Sequence, residues 1–184
     1  MKLAPAALTV ALAAAVLAVP ASAALKPGTK APVFTAPGYL AGDPVTLSLA
    51  EALKKGPVVL YFFPKAFTTG CTAEAHDFAE ASGRFAAAGA TLIGMSADGI
   101  ETLQRFSTQE CSAKFPVAAD PDLKVIKAYD SALIRVGSVG IADRISYVIG
   151  TDGKVVYSYS DRNPDKHVAN TLAVVKELKA HAAK

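Results

Sequence analysis

The sequence predicts an α/β domain in which a mixed central sheet carries helices on both faces. Three strand-like runs, VVLYFF, ATLIGMS and ISYVIG, are almost continuously apolar, which is typical of strands buried on both faces. Stretches with helical spacing lie between the first two runs and after the second. A fourth strand-like run follows the third after a tight turn, which predicts an antiparallel pair at the end of the chain's strand series.

The N-terminal elements are predicted from local composition. Residues 24–45 are rich in proline and glycine, and we expect an extended lead-in. Leu47–Lys55 favours a short helix that Gly56 ends. Val58–Phe63 is the first buried strand.

A helix over 71–88, closed by Gly89, separates this strand from the next, Ala90–Ser96. Four apolar residues fall in one narrow sector of the helix and predict its buried face. They are Cys71, Ala75, Phe78 and Phe85. A second, shorter helix is predicted over Ile100–Gln109.

The C-terminal third contains two strands and a helix. Ile145–Gly150 and Lys154–Ser160 flank a Thr-Asp-Gly turn. Asn163 is a helix cap with Pro164 in the first turn, as is common at helix starts. The order β-α-β-α followed by β-β-α is the outline of a thioredoxin-like domain.

The first 23 residues have the three parts of a secretory signal. Lys2 gives a basic start, residues 8–19 are apolar, and Ala21-Ser22-Ala23 is a small-residue cleavage site. We therefore expect a signal peptide over 1–23, a single domain over 24–184, and a periplasmic or secreted protein. A retained anchor or a core helix is the alternative for this segment.

Charge excludes some function classes. The 19 basic and 16 acidic residues give a net charge of +3, without a long basic run or a basic stripe interleaved with aromatics. Nucleic-acid and membrane-surface binding are therefore not expected. No His or Cys spacing typical of a metal site occurs, so no metal is expected.

Cys71 is the candidate for a reactive residue, because it falls in the first turn of its predicted helix. Free backbone N–H groups and the helix dipole stabilise an anion there, and the thiolate is the nucleophilic form of cysteine. Pro64 fixes the loop that leaves the strand, and Gly70 permits a tight turn beside the thiol. Thr68 can direct a hydroxyl toward a molecule that approaches the sulfur.

Other thiol chemistries fit less well. Position 74 is Glu74, so the C-x-x-C pair of thiol-disulfide oxidoreductases is missing. His76 lies about 140° round the helix from Cys71 and should face solvent, which argues against a Cys–His pair. On local chemistry alone, Cys71 is either a reactive thiol or a small buried hydrophobic residue.

The segment FFPKAFTTGCTAEAHDF resembles the active-site segment of the peroxiredoxins, with their P-x-x-x-T-x-x-C pattern. It is most similar to the bacterioferritin-comigratory, or Q-type, branch. The similarity continues through FPVAADPD at 115–122 and DRISYVIGTDGKVVY at 143–157, so it covers nearly all of the chain from about Ala31.

The resemblance implies roles for individual residues. Cys71 matches the peroxidatic cysteine, Thr68 the threonine that contacts the peroxide, and Pro64 the proline that shields the thiolate. Arg144 matches the arginine that stabilises the thiolate and the transition state, with a surface cation as the alternative. Glu74 matches a frequent family glutamate.

Two departures separate this chain from many Q-type relatives. Thr69 replaces a common proline, and His76 stands where many members have their resolving cysteine. Cys111, after the second helix, is the candidate for resolution through a disulfide. A free thiol and a static disulfide are its alternatives.

The resemblance implies a thiol peroxidase that reduces hydrogen peroxide or small organic hydroperoxides and needs no cofactor. A thioredoxin-like dithiol is the expected reductant, and the protein is expected to be a monomer, with a weak dimer as the alternative. Two rival functions stay open at this point. One is an exported disulfide reductase or isomerase, and the other is a non-catalytic binding module on the same scaffold.

Overall fold

A computed structural model of the protein describes residues 24–136 and 139–182; the predicted signal peptide lies outside these residues. The strands are β1 (Thr35–Leu40), β2 (Asp43–Ser48), β3 (Val58–Phe62), β4 (Thr91–Ser96), β5 (Val117–Ala119), β6 (Ala132–Val136), β7 (Val139–Ala142), β8 (Ile145–Ile149) and β9 (Val155–Ser160). The helices are α1 (Leu49–Leu53), α2 (Thr69–Ala87), α3 (Ile100–Gln109), α4 (Lys124–Ala128) and α5 (His167–Ala182), the last preceded by a 3₁₀ turn at Pro164–Lys166.

The main sheet has seven strands in the order β2-β1-β5-β4-β3-β8-β9. Strands β3, β4 and β5 are parallel to one another, whereas β8 is antiparallel to β3 and β9 is antiparallel to β8. Strands β6 and β7 form a separate hairpin. The mixed sheet expected from the sequence is confirmed.

Strand β3 is the centre of the fold because both of its faces are buried. Alternate side chains point to opposite faces of a strand. Val59 and Tyr61 therefore join a cluster that contains residues of α2, α3 and α5, whereas Leu60 and Phe62 join a cluster that contains Leu49 of α1 and Ile126 of α4. Helices on both faces are thus confirmed.

The N-terminal segment differs from the extended lead-in that the sequence predicts, and that prediction is wrong. Part of the predicted extended lead-in forms the β1–β2 hairpin, in which Ala41 and Gly42 take positive φ angles at the turn. Strand β1 also pairs with β5, beginning at Gly38. A Cβ at Gly38 would collide with the carbonyl oxygen of Val117, so glycine is needed for this close approach.

Within the described residues, no helix combines the length and the apolar character that crossing a membrane requires.

Candidate active site

Cys71 lies in the first turn of α2, close to the position that the sequence predicts. The helix begins two residues earlier, with Thr68 as its N-cap. The residue is 1% exposed, and it packs in the same cluster as Phe63 and Ala75. The sulfur is therefore next to the unpaired N–H groups of a helix start and shielded from bulk water.

Arg144 reaches Cys71 because of the sheet register. Ile145 of β8 lies opposite Phe62 of β3, which places the preceding residue beside the loop that leads into α2. The Arg144 Nη2 donates to Cys71 Sγ at 3.4 Å. Gly70 leaves room for this approach, since a Cβ there would lie 3.2 Å from Nη2.

Two further contacts hold the guanidinium of Arg144. Its Nε donates to the carbonyl of Arg162 at 2.9 Å, and Nη1 donates to Oε2 of Glu74. Burial alone would lower the pKa of Arg144, but the negative charges of Glu74 and Cys71 raise it above its ordinary value. The side chain is a fixed cation, 7% of it exposed, that contacts one carboxylate and one sulfur.

Pro64 and Thr68 lie in the loop between β3 and α2. The Thr68 hydroxyl is exposed and donates to the carbonyl of Lys65 at 2.9 Å. The amide of Ala66 donates to Oδ2 of Asp98 at 2.7 Å, which ties the loop to the segment between β4 and α3. Sequence reasoning did not identify Asp98.

Cys111 directly follows the C-cap of α3 and is fully buried in the same cluster as Cys71. Both cysteines are free thiols. Burial, and then the nearby Glu110 carboxylate, raise the pKa of Cys111 above its ordinary value. Ser112 and Ala113 have positive φ angles of 49° and 57°, so the chain turns sharply just after this cysteine.

His76 faces away from Cys71, as predicted. Its imidazole is exposed, and Nε2 lies 2.8 Å from Oε2 of Glu110. This contact joins the outer face of α2 to the end of α3. A Cys–His pair is therefore excluded for these two residues.

Tyr61 lies near both thiols. Its pKa is raised well above the ordinary value, first by burial and then by the charges of Cys111, Glu74 and Cys71. Among the described residues, nothing forms a hydrogen bond with its buried hydroxyl. The ring stacks on Phe78 with centroids 4.4 Å apart.

His167 is a buried residue of the site to which sequence reasoning gave no role. Its Nδ1 lies 2.8 Å from Ser146 Oγ and 3.7 Å from Oε1 of Glu74, and Nε2 lies 2.9 Å from the carbonyl of Asp161. Only tertiary packing joins α2, β8 and α5 at this point, so local spacing carried no signal for it.

Burial shifts the pKa values of Glu74 and His167, the two buried titratable residues near Arg144. It raises the pKa of Glu74 to about 8, although the Arg144 charge and hydrogen bond oppose the change. Burial also lowers the pKa of His167. Both shifts favour the uncharged forms. Across residues 24–136 and 139–182, no three His, Cys, Asp or Glu side chains cluster in a way that could hold a metal ion.

Comparison with known proteins places this site in a family. A model of the AhpC/TSA family matches residues 27–158. Peroxiredoxin Bcp of Escherichia coli K12 is 32% identical over 157 residues, which cover 83% of this chain and 97% of that protein. The chloroplastic peroxiredoxin Q of Sedum lineare is 33% identical over 153 residues, which cover 83% of this chain and 78% of that protein.

A solved structure supports the same assignment. The crystal structure of peroxidoxin BcpB from Mycobacterium tuberculosis matches with a TM-score of 0.77 and 28% identity, and the match covers 84% of this chain and 98% of that one. The expected thioredoxin-like fold and the resemblance to the Q-type branch are thereby confirmed. The chain belongs to the AhpC/TSA family and is a peroxiredoxin related to the Bcp and Q types.

Proposed function

We propose that Cys71 is the attacking sulfur of this thiol-dependent peroxidase. The observation that carries the proposal is the contact between Arg144 Nη2 and Cys71 Sγ, 3.4 Å long, at the start of α2. A fixed cation and a helix N-terminus both favour the thiolate over the thiol. They also stabilise the negative charge that the leaving oxygen acquires, an electrostatic role that needs no rearrangement during the reaction.

The first step transfers one oxygen atom to the sulfur. The Cys71 thiolate attacks the terminal oxygen of a hydroperoxide, the O–O bond breaks, and its electron pair leaves with the other oxygen as an alkoxide or hydroxide. The leaving oxygen then takes a proton from water. The cysteine is left as a sulfenic acid, the first stage of thiol oxidation.

Thr68 is suited to orient the peroxide. Its hydroxyl hydrogen is already donated to the carbonyl of Lys65, so its oxygen lone pairs are available as acceptors. The O–H of a hydroperoxide can donate to this oxygen while its terminal oxygen meets Cys71. Pro64 lies in the same loop, and the family resemblance assigns to it the shielding of the sulfur.

Cys111 is the proposed resolving residue. Its thiol condenses with the Cys71 sulfenic acid, a disulfide forms, and water leaves. A disulfide requires the two Cα atoms to come within about 7 Å of each other, so the first turn of α2 or the segment after Cys111 has to open. The positive φ angles at Ser112 and Ala113 make that segment a strained connection that can rearrange. A thioredoxin-like dithiol then reduces the disulfide.

Peroxide consumption tests the proposal. Purified wild type should consume hydrogen peroxide catalytically when a dithiol is supplied, and Cys71→Ser should lose that activity. Cys111→Ser should complete one turnover without forming the internal disulfide. Full turnover by Cys71→Ser would refute the assignment of the attacking sulfur.

We further propose that the protein is exported and monomeric. The signal-like residues 1–23 support export, and N-terminal sequencing should find a mature chain that starts at Ala24. Among the described residues, only Val33 and Phe67 are large apolar side chains that are exposed, which gives no extended apolar patch for a stable dimer. Sedimentation equilibrium at micromolar concentration should therefore report the monomer mass, and a dimer mass would contradict this.

A further inference from the structure

The carboxyl group of Glu74 is only half satisfied. Oε2 accepts from Arg144, but no described residue forms a hydrogen bond with Oε1, although the whole side chain is buried. A buried polar atom without a partner is unfavourable, and more so if it is charged. The imidazole of His167 faces this oxygen, with Nδ1 at 3.7 Å.

The hydrogen bonds of His167 decide which of its nitrogens carries hydrogen. Nε2 lies 2.9 Å from the carbonyl of Asp161, which can only accept, so Nε2 must be the donor. In the neutral ring, Nδ1 is then an acceptor. Nδ1 already has the Ser146 hydroxyl as a partner, 2.8 Å away, whereas the buried carboxyl oxygen Oε1 that faces it has no partner among the described residues. A proton shared by the two groups therefore satisfies Oε1.

The distance is compatible with such a proton. A shift of about 0.7–0.9 Å would bring Oε1 and Nδ1 to hydrogen-bond distance. Ser146, whose hydroxyl lies 2.8 Å from Nδ1, accommodates either location of the proton. Its hydroxyl donates to Nδ1 when that nitrogen is unprotonated and accepts from Nδ1 when the nitrogen is protonated.

We propose that Glu74 and His167 hold one proton between them, and that this proton leaves the charge of Arg144 available to the Cys71 thiolate. The inference rests on the proposed function of Cys71 and adds His167 as a positioning residue. With the proton present, the pair is neutral in sum, and the guanidinium balances the thiolate. Without it, a carboxylate and a thiolate compete for one cation in a buried place.

Other charges near the pair do not replace this proton. The groups that act on Glu74 and His167 are Asp143 and Arg144 just before β8, Asp161 after β9, Asp77 on α2, Tyr61 on β3 and, as a ring contact, Tyr159 on β9. Arg144 is the cation among them, and it already contacts Cys71. Burial raises the pKa of Glu74 to about 8 and lowers that of His167, so the two shifts together leave one buried proton for the pair.

The test is the pH profile of Cys71 oxidation by hydrogen peroxide, measured by stopped flow from about pH 6 to about pH 10. In the wild type, the rate should fall at alkaline pH as the pair loses its proton. Glu74→Gln carries an uncharged amide at every pH, so its rate, scaled to its own maximum, should lack this fall. His167→Gln keeps a donor for the Asp161 carbonyl but cannot share the proton. The fall in rate should therefore move about one pH unit lower, which corresponds to a tenfold weaker affinity of Glu74 for the proton.

Glu80→Gln is the matched control, since Glu80 is exposed on the same helix and the substitution removes the same charge. Its profile should follow the wild type. An unchanged alkaline fall in Glu74→Gln, or shifts of Glu74→Gln and His167→Gln in the same direction, would overturn the inference. A merely structural role of His167 would lower the rate equally at every pH and would overturn it as well.

A second measurement does not depend on activity or on the folding of a variant. The ring ¹⁵N chemical shifts of His167 in the wild type should change over the pH range of the alkaline fall, because the ring gains or loses its shared proton there. Constant shifts from about pH 6 to about pH 10 would refute the shared proton. If the wild type did not react with peroxide at any pH, the proposed function would fail, and the ¹⁵N titration would still decide on the proton.

Discussion

Arg144→Lys is the substitution that tests the electrostatic basis of the site most sharply. Lysine keeps the positive charge but replaces the planar guanidinium with one compact ammonium group. The arginine uses three separate nitrogens for Cys71, Glu74 and the carbonyl of Arg162. One ammonium nitrogen cannot occupy three positions, so the fixed donor to Cys71 Sγ is lost.

The expected magnitude follows from the contact that is lost. Removal of one preorganised donor from a developing negative charge typically slows a reaction by about 10²–10³-fold, or about 2.7–4 kcal/mol. We therefore expect the second-order rate constant for oxidation of Cys71 to fall by about 10²–10³-fold. The free energy of unfolding should fall by only about 1–3 kcal/mol, since a cation still faces Glu74 and the loss is confined to buried hydrogen bonds.

The assay is stopped-flow oxidation of the reduced protein in a Cys111→Ser background, which isolates the first chemical step. Arg162→Lys is the matched control: its side chain is exposed, and the carbonyl that Arg144 uses belongs to the main chain and is unchanged. Its rate should equal that of the parent. A folded Arg144→Lys protein that reacts within about threefold of the parent rate would refute the electrostatic reasoning, since that difference is below 1 kcal/mol.

Three further outcomes follow from the same geometry. Tyr61→Phe removes a buried hydroxyl that has no hydrogen-bond partner among the described residues, so the free energy of unfolding in urea should stay constant or rise by up to about 1 kcal/mol. A loss of more than about 1 kcal/mol would show that the hydroxyl forms a hydrogen bond. Gly70→Ala places a Cβ 3.2 Å from Nη2 of Arg144 and should slow peroxide reduction about 3- to 10-fold. Gly83→Ala on the same helix places its Cβ in open space and should leave the rate unchanged, so equal rates for the two variants would contradict the prediction. Because the pKa of Glu74 is raised to about 8, the folded state keeps a proton that the unfolded state releases from about pH 4.5 upward, and the free energy of unfolding falls as the pH rises toward 8. In Glu74→Gln, urea titrations should lack this slope, which is at most about 1.4 kcal/mol per pH unit. A slope equal to that of the wild type would contradict the prediction.

Strong, continuous patterns in the sequence predict the central part of the fold. The apolar run of β3 predicts a buried strand, and the four-residue apolar stripe of α2 predicts a helix with one buried face over several turns. The position of Cys71 follows from where α2 starts. The link to Arg144 came from the family pattern, and the antiparallel pairing of β3 with β8 provides its physical basis.

The missed elements share a different property, since their formation depends on residues far away in the sequence. Pro37 argued against a strand, yet β1 forms, with β5 pairing only from the next residue onward. Strand β5 has three residues and α4 has five, too few to show a period. The partnership of Glu74 with His167 joins α2 to α5 and depends on tertiary packing alone.

The mass of the protein after a single oxidation event tests the role of Cys71 as the attacking sulfur most directly. One equivalent of hydrogen peroxide should be added to reduced wild type, Cys71→Ser and Cys111→Ser, and the intact masses compared. We predict that the wild type loses two hydrogen atoms, that Cys111→Ser gains oxygen on the peptide containing Cys71, and that Cys71→Ser is unchanged. Oxygen on Cys111 in the Cys71→Ser protein, at the rate of the wild-type reaction, would contradict the account.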